Sequence, residues 1–134
     1  MGAKFCSTAV LDGLFTPLYT AGVGNLVCVI MTSSDVIPTI AGSSTGSTGC
    51  LARSTVGGFM STDYFTIASS SSGRTCTIGA CSCDDVIQTG IASYVVITDD
   101  GTDVKYVTTC TTQNLSSGNK VNIGSWSITI AQPT

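Results

Sequence analysis

Histidine and glutamate are absent from this chain of 134 residues, and only 10% of its residues are charged. Without them, proton transfer would fall to aspartate, cysteine, lysine or tyrosine, and a serine or cysteine nucleophile would lack its customary base. No glycine-rich phosphate loop leads from a strand into a helix. The sequence therefore predicts neither an enzyme nor a cofactor. The five basic residues are scattered singly, which argues against a nucleic-acid partner. No run approaches the roughly 20 consecutive apolar residues of a membrane-spanning helix. The start, Met1-Gly2-Ala3-Lys4-Phe5-Cys6, lacks the apolar core of a signal peptide. Synthesis in the cytoplasm, with no membrane partner, is the expectation.

What is present points to a folded β protein. Serine and threonine make up more than a quarter of the chain, and the net charge is -3. So little charge would suit disorder only if β-branched and aromatic residues were also scarce, and here they are abundant. The length suits one domain, 1–134, with a core of its own. A sparsely charged, threonine-rich surface suits a protein that neighbours cover in an assembly.

The stretch Gly90 to Cys110 reads as a hairpin. Ile91 to Thr98, with Val95-Val96-Ile97 in a row, has apolar residues on both faces and predicts a central strand. The polar run 99–103 is the turn. In the return strand Val104, Tyr106, Thr108 and Cys110 are expected on one side, Lys105, Val107 and Thr109 on the other. Before the hairpin, Val10, Leu11, Leu14, Phe15 and Leu18 have helical spacing, but Gly13 and Pro17 limit them to a short helix or turn over the end of a sheet. Asn25 to Met31, Cys50 to Val56, Tyr64 to Ala68 and Arg74 to Ile78 are strand candidates, with Cys76 and Ile78 on one face. After the hairpin come Lys120 to Ile123 and a cleanly alternating last strand, Trp126, Ile128 and Ile130 against Ser125, Ser127 and Thr129. The predicted fold is an all-β, single-domain antiparallel sandwich or barrel with a short N-terminal helix or turn. Its core should include Val95, Ile97, Tyr106, Trp126, Ile128 and Ile130.

Seven cysteines, with no signal peptide and no fixed spacing, do not suit a secreted disulfide framework. Cys76, Cys81 and Cys83 invite a metal reading, but no histidine accompanies them and the paired Cys-x2-Cys spacing is missing. Reduced, metal-free cysteines are expected, with Cys28, Cys76 and Cys110 as small buried hydrophobes and Cys81 and Cys83 in an exposed polar turn. Asp84-Asp85 and Asp99-Asp100-Asp103 read as turn caps rather than a cation site.

Several stretches together resemble a family of small virion proteins from the structural gene clusters of tailed bacteriophages. Ser72-Gly73-Arg74 is similar to its "(S)GR", and Gly90-Ile91-Ala92-Ser93-Tyr94 to its "GTATH", with Tyr94 where the family has histidine. Lys105 to Cys110 resembles "LLYVTTC". Gly118-Asn119 through Ile128 resembles "GNTVNIPAWDIEIADP", with Gly124-Ser125 where the family has Pro-Ala. Near the start, Leu11-Asp12-Gly13-Leu14, Cys28 and Pro38-Thr39 are similar to "LDxAL…VCS" and "PTT". The resemblance covers roughly 11–39 and 72–132. It implies a virion structural protein, most simply a capsid decoration or cement protein on the head surface. Its implied partners are the major capsid protein and neighbouring copies of itself, as a homo-oligomer on the particle. A tail or connector component is the next reading, and a bacterial adhesin or pilus-like module the rival class.

The unmatched middle holds the candidate interface. A Gly/Ser/Thr-rich tract at 41–49 reads as a flexible loop, either a contact or a bland linker. Phe59, Met60, Tyr64 and Phe65 just beyond it are the candidate anchors, with a place in the core as the alternative.

Overall fold

The computed structural model describes residues 6–13, 15–16, 26–32, 49–54, 64–99 and 103–133. Among them the chain forms helix α1 (Thr8–Gly13) and strands β1 (Leu26–Thr32), β2 (Cys50–Arg53), β3 (Phe65–Ser70), β4 (Gly73–Ile78), β5 (Cys81–Ser82), β6 (Gly90–Asp99), β7 (Asp103–Leu115), β8 (Asn122–Ile123) and β9 (Trp126–Ala131). One sheet has the order β2-β1-β6-β7, a second β3-β4-β9, and β5 pairs β8 in a short ribbon. All pairings are antiparallel. The fold is all-β, as composition and alternation predict. Both larger sheets contribute to one core, but they do not close on each other as a barrel.

β6 is central, hydrogen-bonded to β1 along one edge and to β7 along the other. Both of its faces are covered, as the Val-Val-Ile run requires. Val95 and Ile97 enter the main core with Ile30, Leu51, Phe65, Cys76 and Ile78. Val96 points the other way, into a smaller cluster with Cys50, Tyr94, Val104 and Val107. Each such side chain contributes about 1.5–3 kcal/mol by leaving water. Thr98, next along the strand, is only 1% exposed, and its hydroxyl has no hydrogen-bond partner. Thr98→Val should therefore raise stability by about 1 kcal/mol in urea titration, because it removes a desolvated, unpaired hydroxyl. A loss instead would mean that water satisfies the group.

The hairpin is formed, but strict alternation along β7 is not. Ile97 pairs with Tyr106 and Thr98 with Val104, so Lys105 is an extra residue in a bulge. The bulge moves Val104 off the Tyr106 side and onto the face of Val96 and Val107. A second irregularity sets 110–112 against Ser93 alone, since Ala92 pairs with Gln113 and Tyr94 with Thr109.

The smaller sheet is built on the β3–β4 hairpin, in register from Phe65↔Ile78 to Ser70↔Gly73 around the Ser71-Ser72 loop. Cys76 and Ile78 share the buried face, as predicted. β9 alternates as its sequence dictates, yet Trp126, Ile128 and Ile130 are half-buried, because β9 is an outer strand. Tyr106 and Trp126 join the two sheets through tilted rings with centroids 5.6 Å apart. On the outer face small hydroxyls pair across strands, Thr75 with Thr129 at 3.1 Å and Thr77 with Ser127 at 3.2 Å.

Helix α1 starts at Ser7, whose hydroxyl accepts from the Val10 N–H at 3.3 Å, and ends at Gly13. Leu11 and Phe15 bury, while Val10 is 59% exposed. So short a helix presents one face, and Val10 lies off it. Asp12 fixes the helix to β4 by a two-pronged contact, Arg74 Nε to Oδ1 at 2.6 Å and Nη2 to Oδ2 at 3.0 Å. Gln132 bonds both the N–H and the carbonyl of Cys6 at 3.0 Å, which ties the last described residues to the first.

Candidate functional site

Two adjoining hollows lie between β7 and the segment 121–127. One, of about 200 Å³, is lined by Ile30, Ala92, Leu115 and Val121 among others; its neighbour, of about 420 Å³, by Thr108, Thr109, Trp126 and Ser127. Val95, Cys110, Thr111, Ile123 and Gly124 border both. The irregularity at 110–112 places Thr111 at the rim where they meet. No lining residue of either carries a charge; the polar side chains are those of threonine, serine, Gln113 and Asn122, with the Cys110 thiol and the Trp126 indole. Such a surface can hold apolar or neutral polar groups. Its ionisable lining group is the Cys110 thiol, which burial pushes up, and no basic side chain lines it.

The floor is held by a network of backbone bonds rather than by side-chain chemistry. Cys83 N–H donates to the Val121 carbonyl at 3.1 Å and Val86 N–H to that of Asn119 at 2.9 Å. Gly118 returns a bond to the Val86 carbonyl at 2.8 Å, with φ of +85°, a conformation that glycine adopts without strain. Lys120 and Asp85 form an ion pair beside this turn; both are well exposed, and the pair adds little stability.

The same stitching overturns the exposed turn expected at 81–83. Cys81 lies on β5 opposite Ile123, and Cys81 and Cys83 are each only 6% exposed. Their pattern was legible as polar because Ser82, Asp84 and Asp85 do face water. The ribbon turns the two thiols inward. Six cysteine side chains are described and none is in a disulfide; the backbone of Cys28 lies on β1 opposite Ile97. Among the described residues no three metal-ligating side chains converge.

Four thiols, those of Cys50, Cys76, Cys83 and Cys110, are held in the protonated form. Cys83 is pushed well above the ordinary 9.0, first by its hydrogen bond with Cys81 and then by burial. Burial also raises Cys50, Cys76 and Cys110. In native protein, half-buried Cys6 and Cys110 should be alkylated ahead of Cys50, Cys76, Cys81 and Cys83, which should react on unfolding; site-resolved mass spectrometry checks the order. The raised values also set a pH dependence. Below about pH 9 both states hold the protons and the stabilisation is complete; above it the unfolded thiols ionise while the folded ones do not. Stability should fall as pH rises beyond 9, and a flat urea midpoint from pH 8 to pH 10.5 would contradict these shifts.

Of the candidate anchors, Phe59 and Met60 lie outside the described residues, as does 41–48 of the proposed loop. Phe65 is only 8% exposed and belongs to the main core, so its ring has little surface left for a partner. Tyr64 is half-buried against the same core. Hydrophobicity marked these residues, and hydrophobicity alone does not separate a core ring from an exposed anchor. The hollow beside β7 had no sequence signal, because bulges and sheet order create it. Comparison with protein-family models, curated proteins and solved structures found no match for the chain. Among the described residues, no helix is long and apolar enough to cross a membrane.

Proposed function

We propose that this chain is a bacteriophage virion structural protein, most simply a capsid decoration protein that binds the head shell and stabilises it. The observation that carries this reading is where the resembling stretches fall. Ser72 to Arg74, Gly90 to Asp99, Lys105 to Cys110 and Val121 to Ile128 supply β6 and parts of β4, β7, β8 and β9, the framework around the hollows. The neutral lining of those hollows is in keeping with a binding role rather than catalysis. A shell protein needs a rigid framework and exposed surface for neighbours, and gains avidity from many copies on one particle.

Particles purified from the producing virus test the reading. The protein should co-sediment with intact heads in high copy number, and heads stripped of it should open at lower temperature. Label on the tail or neck would move the protein to the connector or tail. Absence from purified particles would overturn the proposal.

A further inference from the structure

The two ends of the four-stranded sheet are finished differently. At β2 the chain returns to cover its own edge. Asp84 and Ile87 N–H groups donate to the Arg53 and Leu51 carbonyls at 2.7 Å each, and Gln88 Nε2 caps the Cys50 carbonyl at 2.8 Å. Along β7 from Tyr106 to Leu115 no described backbone group pairs the outer edge, and Thr109 and Thr111 to Asn114 are exposed. The stretch from Tyr106 to Leu115 runs alongside eight residues of β6, Ile97 back to Gly90, so its edge is about 26 Å long at the usual rise. A row of unpaired N–H and C=O groups is a template for another strand, and folded proteins blunt such rows with charges, proline or bulges. From Tyr106 to Leu115 the sequence YVTTCTTQNL has no charge and no proline. The irregularity at 110–112 is the device of that kind in this stretch, and it leaves 106–109 and 113–115 in regular register on either side.

We infer that the β7 edge from Tyr106 to Leu115 is a strand-pairing interface, and that its occupant is β7 of a second copy of this chain, running antiparallel. Charge decides the occupant. The edge and the hollow beside it are neutral, so a strand bearing charges would lose water there without gaining a counter-charge. This chain's own β7 is neutral over the length required. With Tyr106 of one copy opposite Leu115 of the other, Lys105 falls opposite Ser116 and Asp103 opposite Gly118, so no like charges face across the seam. A two-fold contact of this kind satisfies both open edges at once and closes on itself. The hollow beside Cys110 then sits next to the seam in each copy, shielded by the partner strand. A single strand pair is a small interface, so the association is concentration-dependent. This goes beyond the proposed role on the particle and stands without it.

Sedimentation of the full-length chain up to about 1 mM, the weak end of specific association, tests the pairing. A reversible dimer is expected, and Thr111→Lys should weaken it at least tenfold while leaving the unfolding midpoint unchanged. Thr66→Lys, exposed on β3, should leave the dimer intact. Hydrogen exchange on dilution should accelerate at least tenfold at 106–113 and not in β3. A chain that stays monomeric overturns the inference. So does a dimer that ignores Thr111→Lys, or one weakened equally by Thr66→Lys. Protection of β7 that arises only when particle proteins are added assigns the edge to a foreign strand and overturns the second-copy occupant. Dimerisation through β7 by a protein absent from particles would leave this inference standing and the virion role refuted.

Discussion

Phe15→Ala should lower the free energy of unfolding by about 3–5 kcal/mol, the range for a buried aromatic ring. Phe15 is 1% exposed and is the largest fully buried side chain described, although it follows a helix of only six residues. Its ring joins residues of both sheets in the core. The two-pronged Asp12–Arg74 contact and the Phe15 N–H bond to the Asp12 carbonyl at 2.9 Å hold it there, so the site cannot easily collapse around the deletion. For a domain of this size, with roughly 0.05–0.15 kcal/mol of stability per residue, the loss is a large share of the total. Urea unfolding read by Trp126 fluorescence gives the number; a loss under about 1 kcal/mol would mean that the N-terminal segment is not part of the cooperative core. Trp126→Ala should cost less than Phe15→Ala. Trp126 is half-buried on an outer strand, and its indole N–H is buried without a partner, so its removal also relieves an unpaired donor.

Ile97→Ala should cost about 2–5 kcal/mol, toward the upper end. The residue is fully buried in the C-terminal half of β6, an inner strand, opposite Cys28 on one side and Tyr106 on the other. Hydrogen-bonded neighbours on both sides restrain β6, so the surroundings cannot easily move into the void. Ile97→Val, which removes a single methylene, should cost about 0.5–1.5 kcal/mol at the same position. Equal losses for the two substitutions would show that strand formation rather than packing sets the contribution.

Wherever the pattern is local, sequence and structure agree. The Val-Val-Ile run is the central strand, Ser-Trp-Ser-Ile-Thr-Ile alternates as β9, Cys76 and Ile78 share a face, and Ser-Ser-Gly makes its turn. Side-chain direction has a period of two along a regular strand, so neighbours in sequence are enough to fix it. The same rule fails at Lys105, because a bulge depends on how two strands meet; it puts Val104 on the opposite face from Tyr106, while the alternation expected from Tyr106 onward is kept through Thr109.

What the sequence by itself determined is the class: low charge with abundant threonine and valine dictates strands, and the lack of histidine and glutamate leaves no ordinary acid–base pair. Only the tertiary structure decided which apolar residues are core. Phe65 and Phe15 are enclosed and Val10 is not, because burial depends on which elements come to lie across from a side chain. It also turned Cys81 and Cys83 inward, through a two-residue ribbon too short to carry a pattern of its own. That β7 is an outermost strand of its sheet among the described residues is likewise a product of strand order. Order in a sheet is set by contacts between residues far apart in the chain, and no local run of residues encodes it.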